Sequence, residues 1–438
     1  MAPDYSCLCR FINRHADTLT VAFFEDLTRS VCKSVGASSA FAAGDGTVIQ
    51  AAASRYGTIK QEAAVHAAQE ARAEAAAAPN DEEAVARAKQ TAEVERVVRE
   101  RNAQCKDHGR EENARVSPSE PSAVVQPLKT GQVAPSYKPS VLVNDKRIII
   151  AHAVHGSSET EPMAAMLAAS ARTTGQVVTT LALDAGYCCA TILFLAVANE
   201  LDLLCPEGQT NGDGPWSKKS KLFGKERFTY VESTDTYLCP GQRELKREYH
   251  TKASGRTPAY TRYRSSDCTG CPLQAQCTAK EGERTVRRYD HDPIKEILRD
   301  VMEHPLARKR YRRRQEMVEP VFGEIKHTQD LLRFRRRGAR VALEWALHCS
   351  AHNLRRWERL RPRRAGRPGA SGWRWIRSPA MAGRPGPRLR VPTPAWASAR
   401  TVRRAILVPF GTNRGRGGVL SFCNSLFSGR GGAAKRRG

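Results

Sequence analysis

The chain has 438 residues, with 71 Lys and Arg against 45 Asp and Glu, which gives a formal net charge of +26. A hydrophobic content of 40% is enough for two or three domains with cores, and the charge predicts a polyanionic partner, most simply nucleic acid. No apolar run reaches the ~18 to 20 residues of a membrane span, and the start does not resemble a signal peptide, so we expect a cytoplasmic protein with no membrane partner. In that compartment the 13 cysteines should be metal ligands and core thiols rather than disulfides.

The first part of the chain predicts helices. The segment from Leu8 to about Val35 carries apolar residues near one helical face. Residues 51–103 are rich in Ala, Glu, Arg and Gln, and the break at Pro79-Asn80-Asp81 makes them a helical hairpin with Asn80 or Asp81 as the second N-cap. Charges alternate around the hairpin, which favours a solvated spacer over a binding surface.

Two further stretches predict strands. A short apolar stretch ends at Asp45, and Gly44 before it should weaken that strand by around 1 kcal/mol or less. Residues 140–143 and 148–154 are apolar runs joined by Asn144-Asp145, a pattern typical of a β-hairpin with Asp145 in its turn.

A third apolar run, at 177–183, predicts a strand that ends on Asp184. The segment at 190–204 after it predicts a helix. A carboxylate at the carboxyl end of a strand lies where the ligands of open α/β sheets gather. Asp184 is therefore a candidate site residue.

An insertion of roughly 100 residues follows, which is long for a loop. It contains four cysteines, Cys239, Cys268, Cys271 and Cys277. Four thiols with one two-residue spacing are typical of a tetrahedral thiolate zinc site. The tyrosines around them suggest short strands, so we expect a small β-rich zinc module. An iron–sulfur cluster and four unrelated core thiols are the alternatives.

The last motif lies on a basic segment. Residues 308–315 are almost wholly basic, and Glu319 and Lys326 follow at a spacing that puts them on one helical face, with Pro320 in a first helical turn. Such a helix suits a DNA backbone. The alternative is an ordinary solvated helix with Glu319 in a surface ion pair.

These motifs together carry a resemblance. Asp-Gly-Thr at 45–47, Asp-Ala-Gly-Tyr at 184–187, Val-Glu-Pro-Val-Phe-Gly-Glu-Ile-Lys at 318–326 and Ala-His-Asn-Leu-Arg at 351–355 resemble bacterial insertion-sequence transposases of the DDE class, over roughly residues 4–360. The resemblance implies an α/β fold with an RNase H-like mixed sheet flanked by helices. In that fold the first and fourth strands are neighbours, so Asp45 and Asp184 would meet.

The resemblance also implies the roles of the residues. Asp45, Asp184 and Glu319 would be the catalytic ligands of two Mg²⁺ or Mn²⁺ ions, which cut and join DNA strands without a side-chain nucleophile. The DNA contacts would be basic residues on and after the late helix, namely Lys326, Arg312, Arg313, Arg314, Arg333 and Arg335. Rival acids are Glu120, Asp145 and Glu324. The protein would act as a homodimer on element ends and target DNA and would be associated with the bacterial nucleoid.

The expected domain organisation follows from these motifs. It comprises a truncated helical N-terminal region (1–36), the first part of the catalytic domain (37–204), the insertion (205–290), the C-terminal part of the catalytic domain (291–360) and a basic disordered tail (361–438). The tail holds 18 Lys and Arg and no Asp or Glu, so it is a nonspecific DNA tether or foreign read-through sequence. The alternative function is a catalytically inactive, zinc-containing DNA-binding remnant.

Overall fold

The structure, a computed structural model, describes residues 5–104, 113–208, 222–254, 257–265, 268–278 and 283–361. The expected tail at 361–438 lies outside these ranges except for Arg361. The chain adopts a mixed α/β fold, in which helices pack on one mixed sheet and a second sheet is built from later residues. No helix in the described ranges is long and apolar enough to cross a lipid bilayer.

The helices are α1 (Tyr5–Arg14), α2 (Val21–Val35), α3 (Gln61–Ala77), α4 (Glu82–Ala103), α5 (Met163–Thr174), α6 (Ala190–Ala198), α7 (Gln274–Cys277), α8 (Asp292–Glu303), α9 (Pro305–Gly323) and α10 (Arg340–Leu360). The strands are β1 (Phe41–Gly46), β2 (Ile49–Gln50), β3 (Val124–Pro127), β4 (Val133–Asn144), β5 (Ile149–His155), β6 (Thr180–Ala182), β7 (Asp202–Leu204), β8 (Thr229–Val231), β9 (Thr236–Leu238), β10 (Glu244–Thr251), β11 (Tyr260–Ser265) and β12 (Arg284–Tyr289).

Strand β4 organises the larger sheet. Its first half pairs with β2 and β3, and its second half pairs with β1 on one side and β5 on the other, all antiparallel. Strand β1 is parallel to β6, which is parallel to β7. The order across the middle of the sheet is therefore β5-β4-β1-β6-β7, with β1 at its centre.

Helix ends in the first part of the chain follow from local capping. Helix α2 begins after Thr20, whose hydroxyl accepts a hydrogen bond from the Phe23 N–H at 3.4 Å, and ends at Gly36, where a φ of +58° suits glycine. Helices α3 and α4 form a hairpin. Asp81, rather than Asn80, is the N-cap of α4, accepting from the Glu83 N–H at 2.9 Å.

The segment at 190–204 differs from the sequence-based expectation of a single helix. Helix α6 ends at Ala198, Glu200 takes a φ of +55°, and residues 202–204 form β7 beside β6. A short apolar run fits a buried strand as well as a helix, so periodicity could not separate the two. The pairing with β6 decides the outcome.

The late basic helix also differs from expectation. Helix α9 begins at Pro305, so Pro320 lies inside the helix rather than in its first turn. The helix then widens into a π turn, Glu324–Thr328. A π turn holds more residues than an α turn, so it changes the spacing on which the predicted shared face of Glu319 and Lys326 depends. Glu319 is exposed and Lys326 is half-buried.

Alternation along the strands divides the core between the two faces of the sheet. Ala43 and Val141 point to the face covered by Val318 of α9 and Trp345 of α10. Ala42, Leu142 and Ile150 point to the opposite face, which is covered by apolar side chains of α5 and α6, namely Met163, Met166, Ile192 and Leu193. The sheet is thus buried on both sides, and Asp45, two residues after Ala43, points to the α9 side.

The smaller sheet has the order β12-β11-β10-β9-β8, with every pair antiparallel. Its core contains Phe228, Tyr237, Leu245, Tyr263 and Val286. The expectation of short strands around the tyrosines is confirmed, and the apolar side chains come from both the strands and the preceding loop.

Candidate active site

Two acids far apart in the chain meet at one edge of the larger sheet. Asp45 lies one residue before the end of β1, and Asp184 follows the end of β6. Because β1 and β6 are neighbouring parallel strands, their carboxyl ends lie side by side. Asp45 accepts a hydrogen bond from the Gly46 N–H and Asp184 from the Gly186 N–H, each at 2.9 Å, so backbone groups orient both carboxylates.

A guanidinium lies between these two carboxylates. Arg314 Nη2 is 3.1 Å from Asp45 Oδ2 and 3.8 Å from Asp184 Oδ2. The Arg314 side chain is 12% exposed, against 20% for Asp45 and 44% for Asp184. The sequence predicts Arg314 as a DNA contact, but in the structure it is a largely buried counterion of the acidic pair.

The environment of Asp45 shifts its protonation. Burial raises the pKa of Asp45 to about 6, because the charged form loses solvation. Arg314 and the Gly46 N–H act in the opposite direction, while the negative charges of Asp184 and Glu159 add to the rise in the pKa. Asp45 is therefore mostly ionised at pH 7 and above.

Glu159 belongs to this neighbourhood although the sequence did not single it out. It lies in the loop between β5 and α5, and its Oε1 is 3.5 Å from Lys138 Nζ. A Cβ at position 46 would lie 2.6 Å from Glu159 Cδ, so the absence of a side chain at Gly46 makes room for the carboxylate. No spacing rule connects Glu159 with Asp45, so only the folded chain reveals it.

Glu319, the third predicted acid, is not brought to the pair. It is exposed on α9, one residue after the buried Val318, and has no hydrogen bond or ion pair to any residue that the structure describes. Within the described ranges, no group of three or more His, Cys, Asp or Glu side chains is arranged to hold a metal ion. The acids that the structure brings together are Asp45 and Asp184, with Glu159 nearby.

Lys326 reaches the site from the π turn. Its ammonium group donates a hydrogen bond to the hydroxyl of Thr47, two residues after Asp45. Burial is the main cause that lowers the pKa of Lys326, and Lys129 lowers it further, while Asp45 opposes the shift. The pairing fixes a cation close to Asp45.

The remaining predicted DNA contacts have mixed environments. Arg312 is exposed, and the Arg313 guanidinium lies 5.3 Å from the centre of the Phe41 ring. Arg333 donates to the carbonyl oxygens of Ala51 and Ala53, so part of its hydrogen-bonding capacity is used to hold the chain after β2. Arg335 lies 4.0 Å from Asp330 at the surface.

The rival acids have other partners. Glu120 is 1% exposed and accepts hydrogen bonds from the Tyr137 hydroxyl and the Gly338 N–H. Glu324 lies 3.4 Å from His352 Nδ1 and 3.5 Å from Arg359, which ties the π turn to α10. Asp145 is exposed in the β4-β5 turn. These positions favour structural roles for Glu120 and Glu324 and a turn role for Asp145.

The four cysteines of the insertion converge. Cys239, Cys268, Cys271 and Cys277 line one cavity at the edge of the smaller sheet. A Cβ at position 241 would lie 3.5 Å from Cys271 Sγ and 3.6 Å from Cys239 Sγ, and the Arg243 N–H donates to Cys239 Sγ at 3.3 Å. The thiols therefore share a cavity, although they are not arranged as a closed ligand set within the described residues.

Residues 238–357 match the family model described as a transposase DDE domain. This stretch is similar to the DDE domain of transposases. It supports a DDE-class transposase and implies DNA as a partner. The DDE domain match covers the cysteine cavity, Glu319 and Lys326, whereas Asp45 and Asp184 lie before it. Comparison of the chain with curated proteins and with solved structures finds no significant match.

Proposed function

We propose that this protein is a transposase that cuts DNA at the ends of an insertion sequence and joins the ends to a target. The observation that carries the proposal is the meeting of Asp45 and Asp184 at adjacent strand ends in a chain with a DDE domain. The strand order is β5-β4-β1-β6-β7, and the central strand β1 is antiparallel to β4 and parallel to β6. This arrangement supports an RNase H-like catalytic domain.

Asp45 and Asp184 have the donor chemistry for Mg²⁺ or Mn²⁺. Magnesium is commonly held by one or two carboxylates, with water and substrate phosphates as the remaining ligands. The guanidinium of Arg314 indicates that the space between the carboxylates accepts positive charge. Two such ions, when bound, supply activation of a water or a 3′-hydroxyl and stabilisation of the leaving oxygen. We propose Glu319 as the third ligand, with its exposed side chain moving toward the pair when ions and DNA bind.

The side chains around the acids position the DNA. Lys326, held by Thr47, places a positive charge beside Asp45, where a scissile phosphate would bind. The exposed Arg312 extends this positive charge along α9, and the DNA backbone then follows the helix. We propose that a homodimer holds the two element ends and that the protein is associated with the bacterial nucleoid.

The cavity lined by four cysteines supports a second, structural ion. Thiolates are the preferred ligands of Zn²⁺, and four of them with one two-residue spacing suit a tetrahedral site. We propose that Zn²⁺ binds Cys239, Cys268, Cys271 and Cys277 and stabilises the module at the edge of the smaller sheet.

Cleavage of DNA that carries the element ends tests the proposed function. The full chain is incubated at pH 8 with Mg²⁺ or Mn²⁺, and the matched variant is Asp184→Asn, which keeps the size of the side chain and removes its charge. We expect metal-dependent nicking by the unaltered chain and none by the variant. Equal cutting by both proteins would overturn the assignment of Asp184.

A second function is favoured by one observation. Within the described residues, Glu319 is not grouped with the acidic pair, as in a catalytically inactive DNA-binding remnant that lacks the third ligand. Such a protein would bind the same DNA with no cleavage in either metal, and a gel-shift measurement beside the cleavage assay distinguishes the two functions.

A further inference from the structure

The position of Arg314 differs from that of its basic neighbours on α9. The guanidinium groups of Arg310 and Arg313 lie 5.4 and 5.3 Å from the centre of the Phe41 ring, at the start of β1. Arg312 is exposed. Only Arg314, among the described arginines of this helix, forms ion pairs with the two aspartates. Its role is therefore separate from that of a general basic surface.

Packing of α9 fixes this position. Val318 and Val321, one and two turns after Arg314, are both 0% exposed and pack in the core beneath the sheet. Residues spaced by three and four lie on one face of a helix, so the buried valines direct Arg314 toward the same side. Because the helix cannot rotate without exposing these valines, the guanidinium lies at the carboxyl end of β1.

Hydrogen bonding of the guanidinium is incomplete. Arg314 Nη2 serves both carboxylates, while Arg314 Nε is buried and has no hydrogen-bond partner within the described residues. An arginine built as a permanent structural clamp would use both sides of its fork on a carboxylate. The contact to Asp184, at 3.8 Å, is also the looser of the two. These features suit a cation that can be displaced.

Lys326 does not serve as this counterion. Its ammonium group is committed to Thr47. The charge nearest to both aspartates is therefore the Arg314 guanidinium, at the place where a divalent ion bound by the same oxygens would lie. Two cations at that separation repel each other strongly in a partly buried site. Ion binding and the Arg314 contacts therefore exclude one another.

We propose that Arg314 is a resident counterion of the Asp45–Asp184 pair and that divalent ions enter only when its guanidinium leaves. The inference rests on the proposed metal site of the preceding section. While the guanidinium is in place, it holds the two carboxylates together and neutralises part of their negative charge, so divalent ions bind weakly. Arg314 is thus a positioning residue whose displacement precedes metal binding.

Manganese binding in the absence of DNA tests this inference. The free Mn²⁺ signal in electron paramagnetic resonance is titrated with the full chain at pH 8, for the unaltered protein and Arg314→Gln. We expect Arg314→Gln to bind Mn²⁺ at least about tenfold more tightly, since it removes a competing positive charge within a few ångströms. Unchanged or weaker binding by the variant would overturn the inference.

Two control variants separate the possible failures. Lys309→Gln removes one exposed positive charge from the same helix and should leave the Mn²⁺ affinity within about twofold of the unaltered chain. Asp184→Asn should weaken Mn²⁺ binding both in the otherwise unaltered chain and when combined with Arg314→Gln. If it does not, the proposed metal site itself is wrong, whatever the effect of Arg314→Gln.

Folding of the variant is checked by a thermal melt. If Arg314→Gln has no cooperative melt, Arg314→Met replaces it, because methionine keeps an apolar stem of similar length and removes the charge. The same tightening of the Mn²⁺ affinity, by at least about tenfold, is then expected. An affinity for Mn²⁺ equal to that of the unaltered chain would again count against the inference.

Discussion

Asn353 of α10 binds the backbone of Ile149 through both the oxygen and the nitrogen of its side-chain amide. The Ile149 N–H donates to Asn353 Oδ1 at 2.8 Å, and Asn353 Nδ2 donates to the Ile149 carbonyl oxygen at 2.9 Å and to the Thr28 hydroxyl at 3.1 Å. The amide therefore completes the hydrogen bonding of β5 and ties α10 and α2 to it. The asparagine of the motif at 351–355 thus has a structural role.

Replacement of this amide should destabilise the fold without touching the acids. Asn353 is 0% exposed, so Asn353→Ala leaves buried backbone groups of Ile149 unpaired. We expect the free energy of unfolding to fall by about 2 to 4 kcal/mol, from one or two unsatisfied buried groups. Urea unfolding measures the loss. The exposed Leu354→Ala on the same helix is the control, and a loss in Asn353→Ala no larger than in this control would contradict the role.

The stability of the chain should depend on pH through His152. Burial lowers the pKa of His152 to about 4, and its ring packs edge-on against Phe24 at 4.2 Å. An unfolded histidine has a pKa of about 6.5, so the unfolded state binds more protons between pH 6.5 and 4, and stability falls as the pH falls through that window.

The size of this effect can be measured by urea unfolding at pH 7 and pH 5. His152 should contribute a loss of roughly 2 kcal/mol between these two values. The variant His152→Leu, which does not titrate, should show a smaller loss between pH 7 and pH 5. The same loss in both proteins would show that other groups cause the dependence.

Lys326 should matter for cleavage more than for stability. Lys326→Met keeps the apolar stem and removes the ammonium group beside Asp45, so we expect the cleavage rate to fall by about tenfold to a thousandfold, as when a charge-stabilising donor is lost. The melting temperature should change little. Thr47→Val tests the support of Lys326 by removing its acceptor, and a smaller loss of rate is expected. A full cleavage rate in Lys326→Met would contradict the role.

Zinc content tests the cysteine cavity directly. Inductively coupled plasma mass spectrometry of the purified chain should find about one zinc per chain, as for a single four-thiolate site. Cys271→Ser should lose the zinc. Cys9→Ser is the control, because Cys9 lies in α1, outside the module, and this variant should keep the zinc. Iron in place of zinc, with a visible absorption band, would favour a cluster. Absence of both metals would leave the thiols as ordinary packing residues.

Local patterns explain how much of the fold was predictable. The β4-β5 hairpin follows from two apolar runs around Asn144-Asp145, and Asp184 follows a strand because the preceding run is apolar and ends there. These signals are contained in a few neighbouring residues. The sequence predicts a helix through the three residues of β7, because only their pairing with β6 distinguishes the two structures.

Gly44 has a packing role that no local rule records. A Cβ at this position would lie 2.5 Å from Leu183 Cδ2 and 3.2 Å from Leu142 Cδ2. The missing side chain lets β1 lie against its two neighbours. The leucine contacts come from residues 98 and 139 positions away along the chain.

The candidate site was predictable only in part for the same reason. Asp45 and Asp184 could be paired from their positions at strand ends, together with the resemblance. Arg314 and Glu159 could not, because their approach depends on how α9 packs and on the space left at Gly46. Electrostatic neighbours of a site are set by tertiary packing, which no spacing in the sequence records.

The late position of α9 has a consequence for synthesis. The ribosome completes both acids and the whole larger sheet before it reaches Val318 and Val321, which cover Ala43 and Val141. During that interval the growing chain exposes an apolar sheet face and carries two acids without Arg314 or Lys326. An unfinished chain is therefore prone to aggregate until α9 and α10 cover this face, so folding of the last helices is the step that protects the sheet.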